Sequence, residues 1–261
     1  MTTFSDLVAE AREEVLKDTL GSGMPTGKPL EEGGGGANAY ADAVATYLAL
    51  AVSRLADRSS SLCSWDNSRD SVRNVFGRQA IPMVWDFAEP NPFSESSGNF
   101  LGQVSWVAKV VDRLPSEPAG RAIQADAASR DYHGKAVQTD PPYYDNIGYS
   151  DLSDFFYVWL RRSLQDFQPD VVRTMLTPKA EELVANPYRH GGREEAQRYF
   201  IEGFNQVFAK MREQADHSVP ITLYYAYKQQ DAEDDGKTPT GWHTLLDGMI
   251  DAGWQVTATW P

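Results

Sequence analysis

Apolar residues recur at helical spacing in the first segment of the chain, where Phe4, Leu7, Val8, Ala11, Val15 and Leu16 predict an amphipathic helix over residues 4–18. GSGMPTGKPLEEGGGGAN follows, too rich in breakers for anything but a loop or linker. A second helix is expected from Ala39 to about Asp57, its apolar face carrying Tyr40, Val44, Tyr47, Leu48, Ala51, Val52 and Leu55. Residues 59–98 are irregular and punctuated by Pro82, Pro90 and Pro92, and a third helix is expected over Phe100–Arg113. From Gly120 the texture changes. Arg121–Ala125 and Lys135–Thr139 read as short strands ending at Asp126 and Asp140. Helices are expected over Leu152–Gln165, capped by Ser150 or Asp151, over Arg193–Gln214 and over Gly241–Ala252. Further strands are expected from Pro220 to Lys228 and from Trp254 to Thr259.

Strands alternating with helices of this length predict an α/β fold with a parallel sheet, preceded by a helical N-terminal portion. The expected divisions are 1–36 (helix and Gly/Pro-rich linker), 37–119 (mainly helical) and 120–261 (the α/β region). Ligands of such sheets sit at the carboxyl ends of strands, where Asp126 and Asp140 both fall.

Composition changes the picture in three ways. The formal charge of −13 opposes nucleic-acid binding by the surface as a whole, because phosphate neutralisation dominates such complexes. Basic residues nonetheless gather between Arg161 and Arg212, among them Arg162, Arg173, Lys179, Arg189, Arg193, Arg198 and Lys210. Cys63 is the only cysteine, so an intrachain disulfide and a cysteine-type zinc site are both excluded. The four histidines show no ligand spacing, so no metal site is expected. With no apolar run of membrane length and no signal peptide in the N-terminal residues, the expected compartment is the cytoplasm.

The chemistry is concentrated in Asp140-Pro141-Pro142-Tyr143. An exocyclic amine conjugated to a ring is a poor nucleophile, and a site that alkylates it needs two acceptors aimed at its N–H bonds. The Asp140 carboxylate and the Pro141 carbonyl are such a pair, and consecutive prolines stiffen the backbone between them. Tyr143 adds a flat face for a base turned out of its stack. Tyr144, Asp145, Asn146 and Tyr149 follow closely, and Tyr144, Asn146 and Tyr149 are candidates to line the same pocket. A capped turn into the next helix accounts for these residues equally. The aromatic run Phe155, Phe156, Val158, Trp159 and Leu160 is expected to pack a helix on the sheet. Arg161 and Arg162 suit either a phosphate or a helix C-terminus. Tyr188–Arg193 (YRHGGR) is a basic, flexible loop in which Arg189 and His190 are candidates for substrate contact.

DPPYY after a short strand resembles motif IV, [DNS]PP[YFW], of the amino-methyltransferases that act on adenine N6 or cytosine N4. The longer run DPPYYDNIGYSDLSDFFYVWLRRSL is similar to a group of large prokaryotic adenine-specific DNA methylases that carry an N-terminal domain of unknown function. FGRQAIPMVWDFAEPNPFSESSGNF, TPKAEELVANPYRHGG and ITLYYAYKQ extend the likeness over roughly residues 70–261. The resemblance implies a Rossmann-like class I methyltransferase sheet, present in part, with S-adenosyl-L-methionine as cofactor and duplex DNA with a flipped adenine as partner. It also implies a role in a modification or defence system, with other subunits as possible partners. On that pattern Asp126 and Ala127 stand at the cofactor adenine. The FxGxG turn that holds the methionine end has no match: Gly33–Gly36 follows the acidic KPLEE rather than a strand and reads as linker. The expectation is therefore a piece of a longer protein, with the missing first strand upstream and a catalytic portion inactive by itself. Cytosine N4, RNA adenine and a protein glutamine amide remain alternative acceptors. A non-catalytic module binding nucleic acid or a partner protein is the alternative outside enzymology.

Overall fold

The computed structural model describes residues 1–81, 83–115, 117–118, 120–144, 147–225 and 240–260. They form helices with two small two-stranded sheets, α/β in outline. The chain divides into two units, one built from residues 1–123 and 151–177, the other from 124–150 and 178–261.

In the first unit α1 (Thr2–Gly21) packs against α2 (Ala37–Ala56). The face that α2 buries is the expected one only in part: Ala51, Val52 and Leu55 are buried as expected, but the rest of the buried face, Asp42 apart, is alanine. Ala41, Ala45, Ala49, Val52 and Leu55 are buried, while Tyr40 and Tyr47 stand exposed. A stripe of alanines lets a neighbouring helix approach closely, and the larger aromatics of the opposite face are displaced to the surface. Asp42, in the same buried face, is the hub of this corner. Its Oδ1 accepts from Arg12 Nε at 2.7 Å and its Oδ2 from the Leu30 backbone N–H at 2.9 Å.

The Gly/Pro-rich stretch is a loop, and a closely packed one. Ala37 and Asn38 donate backbone N–H bonds to the Pro25 and Thr26 carbonyls. Gly36 has φ +83°, and a Cβ there would fall 2.4 Å from the Pro25 carbonyl oxygen. Only glycine fits that backbone crossing.

A hairpin that the irregular pattern of residues 59–98 does not announce pairs β1 (Trp65–Asp66) antiparallel with β2 (Ser71–Val72). Next comes α3 (Phe100–Val111), N-capped by Asn99, whose Oδ1 accepts from Gly102 N–H at 2.7 Å. All but the first two residues of α4 (Tyr149–Leu164) belong to this unit. Tyr157 and Leu164 join Val8, Ala45, Ala49 and Val52 in one core, and Phe155 and Phe156 meet Phe76 edge-on. Within this unit Phe155, Phe156 and Leu160 of the aromatic run thus pack on a loop and on helices. Both α4 arginines have protein partners: Arg161 donates to the Thr174 carbonyl, and Arg162 makes a two-pronged contact with Asp6.

The second unit is organised by α5 (Arg193–Gln214), which buries Phe200, Phe204, Val207, Phe208 and Met211 at helical spacing. Leu245 and Met249 of α6 (Thr240–Asp251) and Val137 complete this core. Here β3 (Gln138–Thr139) and β4 (Thr222–Leu223) pair in parallel, Gln138 opposite Thr222 and Thr139 opposite Leu223. Two expected strands are not formed. Arg121–Ala125 is exposed and unpaired, with Ile123 62% accessible, because its small and polar residues offer no apolar face to bury. Trp254–Thr259 is extended without a ladder. Its tryptophan is drawn onto α5, Nε1 donating to the Phe208 carbonyl at 3.1 Å. No helix among the described residues is long and apolar enough to cross a membrane.

Candidate functional site

The parallel pair places the tetrapeptide. Thr222 N–H donates to the Val137 carbonyl at 3.0 Å and Tyr224 N–H to the Thr139 carbonyl at 2.8 Å. Asp140 thus leaves the carboxyl end of β3 beside the carboxyl end of β4, where the crevice of a parallel sheet receives ligands. Asp140 is exposed, and it accepts a hydrogen bond from the Tyr143 hydroxyl at 3.1 Å.

A train of aromatic rings leads away from Tyr143. Tyr143 meets Tyr225 edge-on, with centroids 5.2 Å apart, and Tyr149 at 6.4 Å. Tyr225 in turn stacks on Trp242 at 5.7 Å. Burial raises the Tyr149 phenol above its ordinary range, and the neighbouring Tyr143 and Asp140 push it the same way. Tyr144 turns inward instead: its ring packs edge-on against Phe200 of the core. Its backbone N–H donates to the Tyr225 hydroxyl at 3.2 Å, and its carbonyl accepts from Ala185 N–H at 2.7 Å. Tyr144 therefore anchors the loop that Tyr143 projects from. Asn146 lies outside the described residues, as does Lys228.

A second cluster braces the Tyr149 side. The Glu182 carboxylate accepts from the backbone N–H of Ser150 at 2.9 Å, the Ser150 hydroxyl at 2.6 Å and Arg189 Nη1 at 2.6 Å. Arg189 reaches the Ser150 hydroxyl at 3.1 Å as well. The Ser150 N–H at the start of α4 is thus satisfied by a carboxylate from a distant loop. Negative charge at a helix N-terminus also suits the helix dipole. Glu182 and Arg189 are only 10% and 16% accessible, so each depends on the other.

His190 stacks on Tyr199, centroids 4.0 Å apart and nearly parallel, and its Nε2 is buried. The Tyr199 hydroxyl donates to the Ala180 carbonyl at 2.6 Å, and burial, seconded by Glu181, raises its phenol. With residues 189 and 190 both turned toward protein, Tyr188 stands at the loop tip, 98% exposed. Asp126 and Ala127 sit in a separate turn. Asp126 Oδ1 accepts from Ala128 N–H at 2.9 Å, and the Ala127 carbonyl accepts from the Tyr132 hydroxyl at 2.8 Å. No cluster of three or more metal-ligating side chains occurs among the described residues.

Trp242 and Glu182 are members of this region that sequence reasoning passed over, and Tyr225 is one that the sequence assigns to core packing. For Tyr225 a signal was present: both strands that meet here run directly into paired tyrosines, Tyr143-Tyr144 and Tyr224-Tyr225. Glu182 carries no local signature, since its partners come from 32 residues before it and seven after.

Glu182→Ala removes the buried carboxylate that Arg189 and the Ser150 N–H share, and the expected loss of stability is about 1–3 kcal/mol. Glu182→Gln, which keeps the acceptor oxygen, recovers part of it. Thermal melts followed by near-ultraviolet circular dichroism, which reports the packed tyrosines, check both outcomes. Equal melting of wild type and Glu182→Ala would show that the brace carries no weight.

No family model matches the chain, and neither a curated protein nor a solved structure matches it.

Proposed function

We propose that this chain carries the target-amine site of an S-adenosyl-L-methionine-dependent amino-methyltransferase, with adenine N6 of DNA as acceptor. The observation that carries the proposal is the Asp140–Tyr143 tetrapeptide at the carboxyl end of a parallel strand, its carboxylate exposed and its Tyr143 beside the rings of Tyr149 and Tyr225. On this reading Asp140 and the Pro141 carbonyl accept the two N–H bonds of the amine and bring its lone pair out of conjugation. Pro142 holds the backbone between acceptor and stacking ring stiff. Tyr143 stacks on the flipped base and must release its hydrogen bond to Asp140 to do so. Tyr149 closes one side of the pocket, Tyr144 anchors its floor, and Arg189 and His190 fix the loop that presents Tyr188 to the partner. The surrounding sheet would then be a Rossmann-like one, of which β3 and β4 are part.

S-adenosyl-L-methionine supplies the methyl group in such chemistry. Asp126, an exposed carboxylate, suits the hydroxyls of a ribose or the edge of an adenine. The Gly33–Gly36 loop does not suit the methionine end, since Gly34 and Gly36 are closed in by the backbone of Lys28 and Pro25. The site's share of the reaction is to bind, orient and desolvate the amine.

The deciding experiment incubates the full-length natural protein with methyl-labelled S-adenosyl-L-methionine and, separately, duplex DNA, RNA and a glutamine-bearing peptide. Mass spectrometry of the digests then locates the label. N6-methyladenine in the DNA digest is the expected product. Label in cytosine, in RNA or in the peptide reassigns the acceptor, and no label in any substrate, together with no calorimetric binding of the cofactor, removes the enzyme reading.

A further inference from the structure

The first unit holds a polar cavity of about 410 Å³ that the proposed chemistry leaves unused. It lies between the C-terminal turn of α2 and the start of α3, and Arg54, Arg58, Glu95, Ser96, Ser97 and Gln103 are among its lining residues. Arg54 stands in the last turn of α2 and Arg58 in the turn just past its end, so two like charges line one cavity, an arrangement unfavourable by itself. Neither guanidinium has a carboxylate in ion-pair contact among the described residues.

Both arginines are nevertheless held in place by neutral groups. Arg54 Nε donates to Gln103 Oε1 at 3.2 Å, and Gln103, 8% accessible, anchors itself through Nε2 to the Asn99 carbonyl at 3.3 Å. Arg58 donates through Nη1 to the Val72 carbonyl at 2.8 Å. Its stem lies on Gly98, where a Cβ would come within 2.8 Å of Arg58 Cδ and where φ is +91°. Two acids are near. Glu95 lines the cavity on an exposed loop. Asp57 feels both arginines electrostatically, yet burial pushes its carboxyl above the ordinary carboxylate range, the reverse of what a paired counter-ion shows.

We infer that Arg54 and Arg58 form a binding site for a phosphate-type oxyanion. Each guanidinium spends one N–H on a neutral acceptor and keeps the rest of its planar fork for a ligand, a geometry matched to tetrahedral oxyanions. The serine hydroxyls of Ser96 and Ser97, on the cavity wall, suit the remaining oxygens. The inference is independent of the methyl-transfer reading, because none of these residues belongs to that site.

The test uses the whole chain with inorganic phosphate as probe, followed through the side-chain Nε–H signals of arginine by nitrogen-15 NMR. Phosphate is expected to shift the Arg54 and Arg58 signals, and the Arg54→Gln/Arg58→Gln variant to bind about tenfold or more weakly, the size of losing a charge-assisted hydrogen bond. Gly98→Ala is expected to weaken binding without altering charge, by displacing the Arg58 stem. Arg54→Lys/Arg58→Lys serves as the folding control, retaining both charges and the native melt. A short DNA duplex forms the second arm. Binding tighter than phosphate and steeply salt-dependent identifies a nucleic-acid backbone as the source, whereas phosphate binding that the duplex does not compete identifies a small phosphorylated molecule. No arginine shift with either probe, or binding that survives the double glutamine variant, overturns the site.

Discussion

Asp140→Ala is expected to lower methyl transfer by about 100- to 1000-fold, the scale on which removal of one preorganised polar group at a reacting centre is felt. The same substitution is expected to leave the melt nearly unchanged. Asp140 is exposed and its partner, the Tyr143 hydroxyl, is near solvent, so few stabilising contacts disappear with it. Surface changes of that kind stay within about 0.5 kcal/mol. Asp140→Asn keeps one acceptor oxygen and should fall between the two in rate. Single-turnover transfer of a labelled methyl group, measured beside a thermal melt, separates lost chemistry from lost fold. If the alanine variant keeps most of the rate, Asp140 is not the amine acceptor and the reading collapses with it.

The largest effect on stability is expected far from that residue, at Asp42. Its side chain is 1% accessible, and it neutralises Arg12, itself 19% accessible, while satisfying the Leu30 N–H. Without Asp42 the Arg12 guanidinium keeps only the exposed Glu13, 2.6 Å from its Nη1, and the Leu30 N–H loses its acceptor, at a cost of about 3 kcal/mol. Asp42→Ala should therefore lower the thermal midpoint on the order of 10 °C. Asp42→Asn preserves acceptance from Leu30 and should lose less. Calorimetry of the two variants and of Arg12→Met/Asp42→Leu measures how much of the loss is stranding and how much is the pair itself. A midpoint shift of only about 2 °C in Asp42→Ala would mean that water reaches Arg12 and the corner is looser than its geometry implies.

Asp42 also illustrates what could be read beforehand. Long periodic helices were legible: the chain forms helices at Thr2–Gly21, Ala37–Ala56, Phe100–Val111 and Arg193–Gln214, close to where apolar spacing puts them. Which face of a helix is buried was less so. On α2 the aromatics suggested one face, but close approach to α1 selected the alanines, a choice that depends on the partner helix. Strands fared worst. A strand exists only by pairing, and neither Arg121–Ala125 nor Trp254–Thr259 finds a partner strand among the described residues. At the candidate site the tetrapeptide was visible because its residues are contiguous. The brace of Ser150, Glu182 and Arg189 was not, because it is assembled from two separate stretches of chain.

The pairing of Gln138 with Thr222 bears on the order in which the molecule is made. α1 and α2 are neighbours in the chain and can pack as soon as both have left the ribosome. The tetrapeptide must wait: Tyr225 and Trp242, whose rings continue the train from Tyr143, are among the later residues to be synthesised. Long-range pairings of this kind close slowly, after local ones. A nascent chain stalled between α4 and β4 would thus expose the tetrapeptide without its aromatic walls, and would depend on chaperones or on rapid completion to keep that surface from wrong partners.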